Sequence, residues 1–227
     1  MAAGTDKKEA ARITARALLD IKAVNFRPDE PYIFTSGRVS PVYIDCRKII
    51  AFPKQRTEIV TLMAELIRRE IGVDGIDAVA GGETAGIPYG AWMADRLNLP
   101  MLYVRKQPKG FGRMAQIEGD MPPGWTVPLV EDLATDGGSK HVFIKALRDA
   151  GAVVKDVVVV FHYGIFPKSV ESLKEIGVRL HGLATWHDVL AEARRGNDFP
   201  AANLDQIEKF LADPDGWAAA NAHKAKK

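Results

Sequence analysis

A short segment that joins two adjacent acids to a glycine- and hydroxyl-rich turn carries the clearest chemical signal in the chain. Residues 127–139 read Val-Pro-Leu-Val-Glu-Asp-Leu-Ala-Thr-Asp-Gly-Gly-Ser, an apolar strand followed by Glu131, Asp132 and the turn. A helix is predicted to follow at about 140–150. At the start of a helix, free backbone N–H groups and the positive end of the helix dipole bind phosphate.

The two acids need a task of their own, because a carboxylate beside a phosphate is repulsive. They lie where a sugar would lie if its 5-phosphate occupied the turn. There they can accept hydrogen bonds from a vicinal diol and help to hold a bridging Mg²⁺. Thr135 and Ser139 add hydroxyl donors, while Gly137 and Gly138 let the backbone approach a ligand closely. The segment therefore predicts a ribose phosphate ligand, and an ordinary strand-turn-helix connection is the alternative.

Composition narrows the class of protein. The 227 residues are 47% hydrophobic and 26% charged, as expected for one globular domain. The 31 basic and 29 acidic residues leave a net charge of +2, which argues against a broad nucleic-acid-binding surface. Cys46 is the single cysteine, so no internal disulfide forms. No apolar run reaches membrane-spanning length and the charged N-terminus lacks a signal core, so we expect a soluble, cytoplasmic protein without membrane or nucleic-acid partners.

Apolar strands alternate with helices along the chain. This order predicts an α/β fold with a central, mostly parallel sheet flanked by helices. The core strands are predicted at 76–80, 101–104, 127–130, 157–161 and 180–185, after short strand-like runs at 32–35 and 42–46. The helices are predicted at about 5–21, 57–70, 88–97, 140–150, 167–176, 188–195 and 204–211. Ligands of such sheets bind at the carboxyl ends of the strands, so motifs that follow strands can converge there.

Two more loops suit a phosphorylated ligand. The cationic loop, residues 105–113, contains Arg105, Lys106, Lys109 and Arg113. A long connection of this kind is typical of a lid, which would exclude water and stabilise the charge that develops on a leaving pyrophosphate. A solvated basic loop is the alternative. Residues 81–86, Gly-Gly-Glu-Thr-Ala-Gly, follow a predicted strand and offer backbone N–H groups to the pyrophosphate from another side.

Several motifs occur together in the order found in one family. They are Phe-Thr-Ser-Gly-Arg-Val-Ser-Pro-Val-Tyr-Ile-Asp-Cys-Arg-Lys at 34–48, Gly-Glu-Thr-Ala-Gly-Ile-Pro at 82–88, Tyr-Val-Arg-Lys-Gln-Pro-Lys-Gly at 103–110 and Gln-Ile-Glu-Gly at 116–119. With the acidic segment, the chain resembles the orotate phosphoribosyltransferases, which are type I phosphoribosyltransferases that use phosphoribosyl pyrophosphate (PRPP). The resemblance covers about 32–150 well and the rest loosely.

The resemblance implies a single type I phosphoribosyltransferase domain over 1–227. Its core would span about 55–186, and a small N-terminal hood, about 1–50, would be completed by the C-terminal helices. It implies transfer of the 5-phosphoribosyl group from PRPP to orotate, which gives orotidine 5′-monophosphate and pyrophosphate in pyrimidine (UMP) biosynthesis. Mg²⁺ is the implied cofactor. A homodimer is also implied, in which the lid reaches into the neighbouring subunit.

The resemblance also assigns site residues by position. The catalytic residues would be Lys109, Asp132 and Arg105. PRPP would be bound by Arg105, Lys106, Lys109, Glu131, Asp132, Leu133, Ala134, Thr135, Asp136, Gly137, Gly138 and Ser139. Orotate would be bound by Thr135, Tyr43, Ile44, Ser36, Gly37 and Arg38. Mg²⁺ would have no dedicated protein ligand and would be bridged by PRPP, with Asp132 nearby.

The chain departs from the family at a few positions. Phe111 stands where members usually carry a lid histidine, and Thr35 and Ala85 stand where some members have lysines. Many members have an Asp-Arg pair after the fifth strand, with the arginine on the orotate carboxylate. Here residues 161–164 read Phe-His-Tyr-Gly, so that contact is unassigned and His162 is one candidate.

Two alternative functions remain open from the sequence. A PRPP-binding regulator that has kept the fold and lost catalysis is favoured by Phe111, although the small net charge argues against a regulator that binds nucleic acid. A phosphoribosyltransferase for another base is the second, and the Ser-Gly-Arg-Val-Ser-Pro run at 36–41 argues against it.

Overall fold

A computed structural model describes residues 5–34, 37–112, 115–135 and 138–225. Within these residues the α-helices are α1 Lys7–Asp20, α2 Pro53–Glu70, α3 Gly86–Leu97, α4 Gly138–Asp149, α5 Pro167–Glu175, α6 Trp186–Gly196, α7 Ala201–Ala212 and α8 Pro214–Asn221. The strands are β1 Val24–Phe26, β2 Tyr32–Ile33, β3 Val39–Ser40, β4 Val42–Ile44, β5 Val79–Gly82, β6 Met101–Val104, β7 Ile117–Glu118, β8 Leu129–Ala134, β9 Asp156–His162 and β10 Arg179–Ala184. Short 3-10 helices span Cys46–Ala51 and Ala222–Lys224.

The central sheet has the strand order β10-β9-β8-β5-β6-β7. All neighbouring strands run parallel except β7, which pairs antiparallel with β6. The prediction of a mostly parallel sheet is confirmed. From β5 the chain adds β6 and β7 on one side of the sheet and β8, β9 and β10 on the other, so the strand order reverses between β5 and β8. In sheets of this type a ligand crevice forms at the carboxyl ends of the strands beside such a point.

Helices cover both faces of this sheet, and strand alternation divides the core between them. Val158 and Val160 of β9 pack into one cluster with α1, α2, α3 and α6, whereas Val157 and Val159 pack into the other with α4 and α5. Successive side chains of a strand point to opposite faces. Since both faces are apolar, β9 is buried along almost its whole length, which explains its continuous run of valines.

The hood is built from short strands and C-terminal helices. β1 pairs antiparallel with β4, and β2 pairs antiparallel with β3. Phe26 of β1 packs against Trp186 of α6 and Phe199, which joins the two ends of the chain. The sequence prediction missed β1, β3 and β7, because two or three residues are too few to show a periodicity. It also missed α8, in which Trp217 is the buried residue and alanines supply little amphipathic pattern.

Five residues discussed above, Thr35, Ser36, Arg113, Asp136 and Gly137, lie outside the described residues, as do the side chains at positions 138 and 139. Among the helices that are described, none combines the length and the apolar character required to cross a bilayer.

Candidate active site

A cavity of about 1310 Å³ opens where several segments meet at the carboxyl ends of the parallel strands. Its floor comes from the end of β8, with neighbouring wall from the loops that follow β5 and β9. The hood covers it from one side and the α7–α8 connection from another. Among the predicted site residues, those that line the cavity are Arg38, Tyr43, Ile44, Lys106, Glu131, Asp132, Leu133 and Thr135. Ala134 is buried in β8.

The acidic pair lies within β8, whereas the sequence predicted that the strand would end at residue 130. The strand continues because Glu131, Leu133 and Ala134 remain in register with β9. This pairing is tertiary and leaves no trace in the local sequence. Because consecutive strand residues point to opposite faces, the two neighbouring acids approach the cavity from different sides of the sheet.

Glu131 lies on the face covered by α4 and is only 6% exposed. Its carboxyl group fills the space beside Gly82, where an added Cβ would overlap Oε1 and the Phe143 ring. Within the described part of the chain, Oε1 has no hydrogen-bond partner. Burial raises the pKa of Glu131 to about 8, with Lys140 opposing and Asp132 adding to the shift. A buried polar atom without a partner is unusual and indicates a place for a ligand that carries hydrogen-bond donors.

Asp132 lies on the other face, beside the 3-10 helix that begins at Cys46. Burial raises the pKa of Asp132, and the charges of Lys140 and Arg47 partly oppose this. Burial, and next the charge of Asp132, also raise the pKa of the Cys46 thiol. Cys46 is therefore a neutral, packed residue of the cavity wall, and Asp132 is the better exposed carboxylate of the pair.

The cationic loop brings one of its three described, predicted cations to the cavity. Lys106 lines the cavity, and its backbone N–H donates to the Glu83 carboxylate at 2.7 Å. The guanidinium of Arg105 pairs with Glu118 at 3.3 Å instead. Lys109 is exposed and is not among the lining residues, and Phe111 is fully exposed. Glu83, which the sequence did not single out as more than a loop residue, thus joins the loop after β5 to the start of the cationic loop.

Most of the described residues that were predicted to bind orotate line the cavity, but one does not. Tyr43 and Ile44 line the cavity from β4, and the Tyr43 ring lies 5.5 Å from the Tyr32 ring. Gly37 turns the β2–β3 hairpin at φ +83° and does not line the cavity. Arg38 reaches across to the opposite wall, where its guanidinium lies 4.4 Å above the Phe166 ring.

Part of the wall was not predicted from the sequence. The loop after β9 contributes Tyr163 and Phe166, the first turn of α5 contributes Lys168, and the α7–α8 connection contributes residues 212–215. Pro167 at the first turn of α5, next to a lysine and separated by a short loop from the strand predicted at 157–161, was a usable signal for this part of the wall. Nothing in the local sequence indicated the segment 212–215. It reaches the cavity only because α7 and α8 pack against the hood.

His162, a candidate from the sequence for contact with a substrate carboxylate, does not line the cavity. Its Nε2 lies 3.3 Å from the Ser169 hydroxyl, and burial, with the charge of Lys140, lowers its pKa. A neutral histidine packed in this way is a poor partner for a carboxylate. Lys168 in the first turn of α5, whose ammonium group forms no ion pair with any described residue, is the cation that this part of the wall offers to the cavity.

No protein-family model matches the chain. The chain is similar to the orotate phosphoribosyltransferase of Ruegeria sp. (strain TM1040), with 54% identity over 214 residues that cover 94% of this chain and 95% of that protein. It is equally similar to the orotate phosphoribosyltransferase of Cereibacter sphaeroides (strain KD131 / KCTC 12085), with 54% identity over 211 residues, 93% of this chain and 91% of that protein.

Solved structures agree with this similarity. The crystal structure of orotate phosphoribosyltransferase from Aeropyrum pernix matches with a TM-score of 0.69 and 34% identity, over 80% of this chain and 98% of that one. The structure of Leishmania donovani UMP synthase matches with a TM-score of 0.77 and 26% identity, over 90% of this chain. The matched part is 43% of that longer chain, so this second match concerns one portion of it.

Proposed function

The chain belongs to the orotate phosphoribosyltransferase family, and we propose that it transfers the 5-phosphoribosyl group of PRPP to orotate, yielding orotidine 5′-monophosphate and pyrophosphate in pyrimidine biosynthesis. The observation that carries this proposal is the shared cavity. It combines the acidic pair of β8, one lysine of the cationic loop and the aromatic wall of the hood. A sugar, a leaving anion and a planar base each find a chemically suitable partner there.

The ribose would be held by Glu131 and Asp132. Carboxylate oxygens accept hydrogen bonds from hydroxyl groups, and the unpartnered Oε1 of Glu131 supports this role because a ribose hydroxyl would supply the missing donor. The 5-phosphate would bind at residues 135–139, because α4 begins at Gly138 and the first turn of a helix has N–H groups without partners inside the helix. Asp136 and Gly137 belong to this proposal through the family resemblance alone.

The leaving pyrophosphate would be stabilised by the cationic loop. Lys106 already lines the cavity, whereas Arg105 and Lys109 would have to be brought in when the loop closes. Positioned cations stabilise charge that develops as the bond to the sugar C1 breaks, and closure excludes water from an oxocarbenium-like sugar. Lys109 in this account contributes mainly to departure of the leaving group, since it lies outside the cavity before closure.

Orotate would stack against Tyr43 and Ile44, with Thr135 at the sugar side and the 36–38 turn closing over the ring. Its ring nitrogen is a competent nucleophile as the anion, so the protein need only align it with C1. We assign its carboxylate to Lys168, because this cation faces the cavity and has no acidic partner among the described residues.

Mg²⁺ fits the donor set of the cavity. Asp132 offers the carboxylate oxygen that this hard cation prefers, and the described residues contain no group of three or more His, Cys, Asp or Glu side chains that could hold a metal ion. As the family resemblance implies, the ion would be held largely by PRPP, with Asp132 nearby. When bound, Mg²⁺ neutralises part of the charge on the pyrophosphate.

The proposed assembly is a homodimer in which the lid of one copy serves the cavity of the other. The position of Lys109 outside its own cavity supports this arrangement. Mixing a Lys109→Ala variant with an Asp132→Asn variant tests it. If the lid acts in trans, mixed dimers contain one intact site and activity recovers on mixing. If it acts in its own chain, the mixture stays inactive.

The function is tested by mixing the protein with PRPP, Mg²⁺ and orotate and following the loss of orotate absorbance. We expect turnover, and we expect Asp132→Asn to lower PRPP use at least about tenfold, or about 1.4 kcal/mol. Asp205→Asn is the matched control, because Asp205 is an exposed aspartate whose partner is Arg194 on α6. Binding of PRPP without turnover of orotate would favour the regulatory alternative. Turnover of another base in a substrate panel would favour a phosphoribosyltransferase for that base.

A further inference from the structure

Arg38 is held by two elements that lie far from it in the chain. Its Nη1 donates to Asp215 Oδ1 at 2.7 Å, across a sequence separation of 177 residues. Its guanidinium also lies 4.4 Å above the Phe166 ring, in the loop that follows β9. Arg38, Phe166 and Asp215 all line the cavity. The three side chains therefore form a bridge from the hood to the C-terminal helix across one side of the cavity.

The C-terminal end of this bridge is anchored within α7 and α8. Asp213 caps α8 by accepting a hydrogen bond from the Gly216 N–H at 2.9 Å. Trp217 is buried, packs edge-on against Phe210 of α7 at 5.6 Å, and points its ring N–H at Gln206. These contacts fix the first turn of α8, where Asp215 lies, relative to the rest of the domain.

The bridge is poorly explained as a stabilising contact. The Asp215 side chain is 86% exposed and that of Arg38 is 36% exposed. An ion pair with this exposure contributes about 0–1 kcal/mol to folding, because water screens the charges and the side chains lose conformational freedom. What the pair does achieve is to restrict a long side chain to one orientation at the edge of the cavity, with its flat face on an aromatic ring.

We propose that Asp215 is a positioning residue for the base end of the cavity, which holds the Arg38 guanidinium over Phe166 and so makes α8 a part of the orotate site. This inference rests on the proposed function. In this proposal Arg38 contacts orotate, and Asp215 affects the binding of orotate only by orienting Arg38. The α8 helix, absent from the sequence prediction, thereby gains a functional role.

The test compares steady-state kinetics of Asp215→Asn with those of the full-length wild type. We expect the KM for orotate to rise about three- to fivefold, the most that an ion pair of this exposure can provide, while kcat and the KM for PRPP change less than about twofold. Asp215→Glu should restore most of the loss, since it keeps the carboxylate. Asp205→Asn, which removes a similarly exposed partner of an arginine on α6, should leave both KM values unchanged.

A double-variant comparison separates positioning from a direct contact. In an Arg38→Met background, Asp215→Asn should add no further change, because its target is gone. An additive effect would overturn the inference, as would a wild-type KM for orotate in Asp215→Asn, or equal rises in the KM for orotate and PRPP. If the wild type itself neither binds nor converts orotate, the proposed function fails, and the inference fails with it.

Discussion

Two buried carboxylates on adjacent strands of the sheet show opposite designs. Asp156, at the start of β9, is 4% exposed, and Glu131, the third of the six residues of β8, is 6% exposed. Asp156 accepts hydrogen bonds from Arg179 at 2.9 and 3.1 Å and lies 2.8 Å from His181 Nε2. Glu131 leaves Oε1 without a partner among the described residues.

The two environments move the pKa in opposite directions. Burial alone would raise both values. At Asp156 the hydrogen bonds from His181 and Arg179 outweigh burial and lower the pKa, whereas at Glu131 burial prevails and raises the pKa to about 8. The two side chains have similar exposed fractions, but Glu131 is more deeply enclosed by protein and lacks the hydrogen-bond donors that Asp156 has, so both differences separate the pKa values. Asp156 lies at the amino end of its parallel strand, whereas Glu131 lies within β8 and lines the cavity that opens at the carboxyl ends, where sheets of this kind bind ligands. We therefore expect Asp156 to stabilise the fold and Glu131 to contact a bound ligand.

The largest expected effect comes from Asp156→Asn. It replaces the carboxylate that accepts from Arg179 and contacts His181 with an amide that has one acceptor oxygen, and the loss of a hydrogen bond to a buried charged group costs up to about 3 kcal/mol. We expect a loss of up to about 3 kcal/mol in the free energy of unfolding, measured by urea denaturation, with kcat/KM unchanged under conditions where the variant is folded. A loss of activity without a loss of stability would reverse the roles assigned to the two acids.

Glu131→Gln should show the converse pattern. The amide keeps the shape but is a weaker acceptor for a ribose hydroxyl, so kcat/KM for PRPP should fall about tenfold to a hundredfold, or about 1.4 to 2.7 kcal/mol. The free energy of unfolding at pH 8 should stay the same or rise, because a neutral amide carries no cost of burying charge. Steady-state kinetics and urea denaturation of the same preparation decide this. Full activity together with a destabilised fold would remove Glu131 from the site.

The pH dependence of stability should separate the two groups by sign. The Asp156 pKa lies below its ordinary value of 3.8, so its contribution is present above about pH 4 and is lost as the pH falls through the folded pKa. The Glu131 pKa is raised from 4.5 to about 8, so the folded state holds that proton more tightly and stability declines as pH rises between these values.

The neutral limb, which spans the shift of the Glu131 pKa from 4.5 to about 8, should amount to a few kcal/mol in the free energy of unfolding, and the acid limb should have the opposite slope. The groups that face Glu131 and modulate this decline are Lys140, Asp132 and Lys106. Urea denaturation from pH 3 to pH 9 measures both limbs. Asp156→Asn should flatten the acid limb alone and Glu131→Gln the neutral limb alone. A variant that flattens the wrong limb contradicts the assignment.

The smallest effect is expected from Arg179→Met. The Arg179 side chain is 62% exposed, whereas His181 is 12% exposed beside the same carboxylate. An exposed ion-pair partner contributes less than about 1 kcal/mol. The unfolding free energy should therefore fall much less than in Asp156→Asn, which would place most of the stabilisation in the buried His181 contact. An equal loss in both variants would show that the exposed partner matters as much.

Many residues that line the cavity could be predicted from the sequence, because the patterns that mark them are local. The glycine turn after an acidic pair, the run of cations and the alternation of strands with helices each depend on neighbouring residues. Prediction from the sequence failed where the structure depends on distant ones. The end of β8 is set by its pairing with β9. The Arg105 guanidinium forms an ion pair with Glu118 instead of lining the cavity, and Asp215 lines the cavity because of how α8 packs.

Most of the strands and helices could be predicted from the sequence alone. The sequence also predicted which loops suit phosphate and which two acids suit a sugar, because these predictions depend on neighbouring residues. Tertiary structure alone decided that those acids lie on opposite faces of β8 and that Lys168 and Asp215 line the same cavity as the acids. It also decided that Asp156 is paired while Oε1 of the buried Glu131 has no hydrogen-bond partner within the described part of the chain. Burial and electrostatic environment arise from residues that are remote in sequence, so no local pattern can specify them.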